Sequence, residues 1–417
     1  MDSLSQIVLG GAVAAAIAPA AHRRAALLAG AALGTLPDLD SLPIALFSDN
    51  PVTLMTVHRS FSHSLFVLPL VGWLVWWLFK RFGQGRVASA PARWFWAIQL
   101  ALVTHPLLDA FTVYGTQLWW PLSPPPTMWS SVFIIDPLYT VWLLVACVAA
   151  WFLRERAAAR RALLVGLVLS SAYLGWSLVA KAMVDREAER TLAAMGLDDA
   201  PYFSVPMPFN TLLWRVVAMT PSGYVEAERS VLVDEGRMRF RGYPSNVQAL
   251  RQARGIPAVD RLSWFNRGFM RAQVREGRLV LADLRMGLEP NYNFQFDVAT
   301  WRDGQWKPIP PVQRPWSLPV SGGAGARHLL EAMWRRTWLG SLGRIGCRAA
   351  CRRYRPGRRN RKSLMRHSQQ PGRMPAQPPG ASGRMVDPDA VLRSCAATAS
   401  GVRARSITMD SPRISRS

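Results

Sequence analysis

Three short stretches hold the residue types that suit a hard or borderline metal ion: Pro37-Asp38-Leu39-Asp40, His58-Arg59-Ser60-Phe61-Ser62-His63-Ser64 and Thr104-His105-Pro106-Leu107-Leu108-Asp109. Imidazole and carboxylate are ligands for zinc, manganese or iron. His105 and Asp109, four residues apart, share a helix face one turn apart. An ionisable pair inside an apolar segment is expensive and points to function; the bland account is a His–Asp hydrogen bond that staples helices. His58 and His63 would diverge by about 140° on a regular helix, so they converge only if a turn intervenes. Asp38 and Asp40 follow a proline, which argues against a continuing helix, and in extended chain alternate side chains point the same way. The pair can bridge a metal, or one member can ligate while the other takes a proton from a bound water. A plain Pro-Asp turn is the bland account there. Arg59 suits a phosphate or carboxylate, and Ser62 a donor behind a ligand.

The elements that must position these residues are apolar. Of 417 residues, 50% are hydrophobic, and they fall in blocks. Residues 4–20 and 25–36, split by His22-Arg23-Arg24, are short and small, and predict a helical hairpin closely packed through Gly and Ala. Residues 65–79 form the clearest membrane candidate, closed by Lys80 and Arg81; 94–110, 137–153 and 162–180 are further candidates. The fold class expected is mainly α: a polytopic helical membrane bundle of about four to six membrane helices, followed by a small β-rich extramembrane domain and a disordered basic tail. Lys80, Arg81, Arg86 and Arg93 lie in one loop, Arg154, Arg156, Arg160 and Arg161 against Glu155 in another, and Arg23 and Arg24 in a third. The positive-inside rule puts all three in the cytoplasm. The opposite, periplasmic face then receives Asp2, residues 37–64, residues 105–136 and everything after 181. Loop charge alone thus gathers Asp38, Asp40, His58, His63, His105, Asp109 and Asp136 on one side.

Residues 1–180 are therefore expected to be the membrane-embedded part and 181–335 an outer-face β-rich domain, with strands near 224–233, 277–286 and 292–298, where apolar residues alternate at period two. His328 is expected at the surface. Residues 336–417, rich in Arg, Pro, Gly and Ser, lack periodicity and predict a disordered tail. The net charge of +24 is concentrated there. Such a charge fits anionic lipid as well as nucleic acid, and a tail on the outer face is not expected to meet nucleic acid. Four cysteines, Cys147, Cys347, Cys351 and Cys395, make no CxxC pair, so neither a zinc ribbon nor a disulfide framework is indicated. The first residues do not have the pattern of a cleaved signal peptide.

MDSLSQIVLG at the start, LPDLDSL at 36–42, HRSFSHS at 58–64, THPLLDAFTVYGTQLWWP at 104–121 and FIIDPLY at 133–139 resemble, in order and spacing, the YdjM-like family of bacterial inner-membrane metal-dependent hydrolases. The resemblance covers roughly residues 1–180 and not the basic tail. It implies an inner-membrane location, metal dependence, and Asp38, Asp40, His58, His63, His105 and Asp109 as ligands. Asp2, Gln6, Thr112, Tyr114 and Asp136 also fall in family-like motifs. The expected chemistry is hydrolysis of an ester or phosphoester with one or two divalent ions, zinc first. Asp40 or Asp109 would handle the proton, and Arg59 would offset charge on a phosphate-like group. A site at the membrane surface favours a lipid-like, amphiphilic substrate. The rival readings are a metal-binding or ion-handling membrane protein without turnover, and a scaffold in which the His and Asp sets are structural pins.

Overall fold

Small residues decide the first packing. In the computed structural model, which describes residues 1–83, 85–315 and 323–339, the first two apolar stretches form an antiparallel pair, α1 (Ser3–Ile17) and α2 (Arg23–Thr35). A Cβ on Gly10 would lie 2.2 Å from the Gly30 carbonyl oxygen, and one on Gly34 would lie 2.4 Å from that of Gln6. The two backbones touch, as the composition predicted, and the contact sets Gln6 beside Gly34.

Pro37 does not stop the chain from coiling. Leu36–Asp40 forms a 3-10 turn directly after α2, with the proline in its first turn, where a missing N–H costs nothing. The extended geometry expected for Asp38-Leu39-Asp40 is therefore corrected to a tight helical one. Next come α3 (Ser41–Phe47) and α4 (Pro51–Val57), whose start is capped by Asn50 Oδ1. A 3-10 turn at Phe61–His63 leads to α5 (Val67–Phe82), α6 (Arg86–Ser89), α7 (Pro91–Ala110), α8 (Pro137–Leu153) and α9 (Ala157–Ala194).

The expected bundle of four to six membrane helices is met only in part. Among the described residues one helix, α9, is long and apolar enough to cross a bilayer; Pro51–His63 with Val67–Phe82 makes a second span only if the pair, bent by 57°, is counted as one. α1 and α8 are apolar but short, at 15 and 17 residues. α7 has 20 residues, and Arg93, His105 and Asp109 dilute its hydropathy. Even so, α5 exposes Leu70, Trp73 and Phe79, α8 exposes Val145 and Phe152, and α9 exposes Val165 and Val168.

With 38 residues, α9 runs about 57 Å, roughly twice a bilayer's hydrocarbon core. Its later turns bury Ala180, Val184 and Ala188 against Trp214, Val216 and Ala227. The boundary expected between residues 180 and 181 thus falls inside a continuous helix.

The β-rich part follows. β1 (Tyr202–Pro206), β2 (Leu213–Thr220), β3 (Gly223–Ser230) and β4 (Arg241–Pro244) form an antiparallel sheet in chain order. After α10 (Val247–Gln252) and α11 (Pro257–Phe265) come β5 (Met270–Arg275), β6 (Arg278–Asp283), the short pair β7 (Gly287–Leu288) and β8 (Asn291–Tyr292), β9 (Gln295–Arg302) and β10 (Gln305–Gln313). The second sheet has the order β10-β9-β6-β5. β2 is buried on both faces: Trp214 and Val216 meet α9, while Val217 meets Phe269 and Ala282 of the second sheet's side. A third core joins Val52, Met55 and Tyr114 of the helical region to Ile256, Leu262, Phe265 and Phe296.

The chain ends its described course in α12 (Gly323–Leu339). Residues 336–339, expected in the tail, are helical: Arg336 ion-pairs with Asp234, and Ser230 Oγ donates to the Thr337 carbonyl at 2.7 Å. The side chain of His328 and the tail from 340 onward lie outside the described residues. Cys147 is half-buried, its Sγ 3.4 Å from the Val8 carbonyl.

The three basic segments meet at one end of the helices. Arg23 donates to the carbonyls of Arg154 (2.5 Å) and Arg156 (3.3 Å), Arg24 donates to that of Trp151 (2.9 Å), and Trp94 Nε1 donates to His22 (3.3 Å).

Candidate metal centre

Helix periodicity places His105 and Asp109 one turn apart on the buried face of α7. The two histidines of the second motif reach the same point by another route. His58 ends α4, Arg59 takes a left-handed conformation (φ 64°), and the 3-10 turn then carries His63 inward. A left-handed arginine is strained, and its N–H is held by Asp40 Oδ2 at 3.1 Å. The turn after α2 supplies Asp38 from the third direction.

Four ligand atoms converge. His63 Nε2 lies 3.1 Å from His105 Nε2. Asp38 Oδ1 is 3.4 Å from each of these nitrogens, and Asp109 Oδ2 is 3.2 Å from His63 and 3.5 Å from His105. Tetrahedral ligation at about 2.0–2.1 Å requires ligand–ligand edges of roughly 3.3 Å. The five edges fit that figure.

The protonation of the two rings is set from behind. His105 Nδ1 is 2.6 Å from the Gly34 carbonyl oxygen, which can only accept, so Nδ1 carries the proton. Ser62 Oγ donates to Asp40 Oδ2 at 2.5 Å and therefore accepts from His63 Nδ1 at 2.9 Å. In their neutral forms, both rings then present Nε2 lone pairs to each other. Asp38 Oδ1 and Asp109 Oδ2, which face them, are buried and have no hydrogen-bond partner. Two lone pairs and two carboxylate oxygens at such spacing repel unless positive charge stands among them, and the cations beside them, Arg59 and the Met1 ammonium, pair with Asp109 rather than with Asp38. The donor set therefore fits a divalent cation.

His58 and Asp40, expected among the ligands, are not brought into this set. His58 Nδ1 bonds Asp40 Oδ1 at 2.7 Å, and His58 Nε2 stays 4.0 Å from Asp38 Oδ1. Burial alone would raise the Asp40 pKa, but the hydrogen bonds from His58 and Ser62 outweigh it and hold the carboxyl below its usual range. Asp38 and His58 are partly open to solvent, with side chains 22% and 23% exposed, whereas His63, His105 and Asp109 are sealed.

Arg59, expected to face substrate charge, is buried instead. Its Nε approaches Asp109 Oδ2 at 3.1 Å without hydrogen-bond alignment, and Nη1 donates to Thr112 Oγ1 at 3.3 Å. Its guanidinium stacks over Tyr114. Asp109 is held further by Gln6 Nε2 (2.9 Å) and by the Met1 ammonium, both on Oδ1. Of the remaining motif residues, Thr112 Oγ1 donates to the Asp109 carbonyl at 2.7 Å, and Asp2 and Asp136 cap α1 and α8. Burial raises the Tyr114 phenol well above its ordinary value, so it stays a neutral donor to the Met55 carbonyl.

The support from the β-rich part has no counterpart among the residues singled out from the sequence. Arg285, paired with Asp283 at 2.6 Å, donates to the Tyr114 carbonyl at 2.9 Å. Arg261 donates to Thr56 Oγ1 and to its carbonyl, at 2.9 and 3.0 Å. The one sequence signal was Asp283-Leu-Arg285 closing an apolar strand, an ionisable pair where a core was expected.

Among known protein families, the model of the YdjM inner membrane protein family matches residues 1–184. No curated protein and no solved structure matches the chain.

Proposed function

We propose, with the YdjM family match over residues 1–184 as premise, that this chain is a multi-pass protein of the bacterial inner membrane and a metal-dependent hydrolase. On this reading it holds one divalent cation, zinc, and cleaves an ester or phosphoester of an amphiphilic substrate. The membrane reading is supported by the apolar side chains left exposed on α5, α8 and α9. The basic loops gathered at one end favour the cytoplasm for that end and the periplasm for the site.

The reading is carried by one observation: ligand atoms of Asp38, His63, His105 and Asp109 converge on one point, and no hydrogen-bond donor is aligned on Asp38 Oδ1 or Asp109 Oδ2 there. When bound, the cation would supply Lewis acidity and bring the pKa of water to about 7. Asp38 is the ligand on the solvent side, so substrate would meet the site between Asp38 and His58. The exposed His58 Nε2, with Nδ1 tied to Asp40, is placed to take a proton there and pass charge to a carboxylate already held ionised. Arg59 keeps Asp109 ionised and aimed.

Elemental analysis of the detergent-purified full chain tests the reading, with His63→Ala and His105→Ala beside it. About one equivalent in the parent and near none in the variants is expected. A metal-free parent would mean that protons, not a cation, bridge these groups, and the proposal would fall. A screen with ester and phosphoester substrates then separates a hydrolase from a protein that only binds the ion.

A further inference from the structure

Two adjoining hollows open at the end of the helices where the basic segments meet, and the larger runs along α7 as far as Thr104, the residue before His105. One, of about 550 Å³, runs between α1, α7 and α9 and is walled by Val13, Ile17, Trp96, Leu100 and Leu164, with Arg93 and Arg160 at one end. The other, of about 390 Å³, shares Arg93 and Arg160 and adds Arg23, Arg161 and the acid Glu155. Arg93, Arg160 and Arg161 are exposed, and among the described residues no carboxylate lies within salt-bridge distance of them. The Arg23 guanidinium is already engaged by backbone carbonyls, though its Nε is buried without a partner.

From Arg93 to Thr104, at the far end of the larger hollow, α7 rises about 16 Å, close to the roughly 15 Å of one hydrocarbon leaflet. A greasy channel one leaflet long, with four arginines against the one acid Glu155 around its mouth, has the shape and charge of one occupant. We propose that it binds an anionic phospholipid of the inner leaflet, the phosphate between Arg93 and Arg160 and an acyl chain along Ile17, Trp96 and Leu164. A free phosphate would leave the apolar wall unused, and a zwitterionic lipid would leave the arginines unbalanced. The inference rests on the proposed membrane location but not on the cation site.

The test is native mass spectrometry and thermal melting of the delipidated full chain in detergent, titrated with phosphatidylglycerol, phosphatidylcholine or inorganic phosphate. The parent should retain phosphatidylglycerol, melt higher with it, and respond to neither of the others. Arg93→Gln with Arg160→Gln should weaken phosphatidylglycerol binding roughly thirtyfold. Arg154→Gln with Arg156→Gln, which removes the same charge outside both hollows, should leave binding within about threefold. Equal loss in both double variants, or retention of the lipid by the first, would overturn the site. Metal content measured on the same samples keeps the two readings apart: a failed lipid arm with the cation retained refutes only the lipid site.

Discussion

At the scale of single residues, the six side chains expected to ligate divide into two groups by what stands behind them. His63 and His105 have their Nδ1 atoms engaged and their Nε2 atoms free, whereas His58 has Nδ1 on Asp40 and Nε2 at the mouth. The division predicts different phenotypes. His105→Ala should drop the cation altogether, whereas His58→Ala should keep it, with affinity weaker by no more than about 100-fold, and lose turnover. Competition against a chromophoric chelator measures both, and a His58 variant as empty as the His105 variant would place His58 among the ligands after all. Asp40→Asn should act like the milder variant, about 10–100-fold on affinity, because it disturbs the donors from His58, Ser62 and the Arg59 backbone at once.

At the scale of elements, the site depends on how closely α1 and α2 approach. Gly34 supplies the carbonyl that orients His105, and Gln6, against which Gly34 packs, holds Asp109. A side chain at Gly30 would meet the Gly10 carbonyl oxygen at 2.2 Å and Ala14 Cβ at 2.6 Å. Gly30→Leu should therefore force the hairpin apart, costing about 1–3 kcal/mol, and should lower metal occupancy although residue 30 touches no ligand. Gly175→Ala on α9, where a Cβ meets nothing within 4 Å, should melt at or slightly above the parent. If the two variants hold the cation equally, hairpin spacing does not govern the site.

At the scale of the whole molecule, the β-rich part works as a clamp on the segments that carry the ligands. Arg285 and Asp283 are both sealed from solvent, and Arg285 reaches across to the loop that follows α7. Replacing Arg285 with Met strands a buried carboxylate, and a loss of about 3–5 kcal/mol is expected in denaturant unfolding. Cation affinity should fall with it, since Tyr114 packs under Arg59 and beside His58. Saturating metal should act in the opposite sense: at about 100 times Kd it adds roughly 2.7 kcal/mol, and a chelator should lower the melting temperature accordingly. A chelator that leaves melting unchanged would show that no resident ion ties these parts together.

The chain's own pattern determined a good deal. Block hydrophobicity placed α1, α2, α5, α7, α8 and the apolar part of α9, glycine and alanine fixed the close α1–α2 contact, period-two alternation located β3, β6 and β9, and four-residue spacing put His105 and Asp109 on one face, because each is a local rule that a few neighbouring residues obey. What lay beyond it was non-local. The left-handed Arg59 swings His63 in and leaves His58 at the rim, and no spacing rule encodes that turn. Pro37 reads as a helix stop unless the chain after it coils at once. The reach of Arg285 to Tyr114 across 171 residues exists only when both sheets and α9 are in place, so tertiary packing decided which of the six ligand candidates share one point and what holds them there.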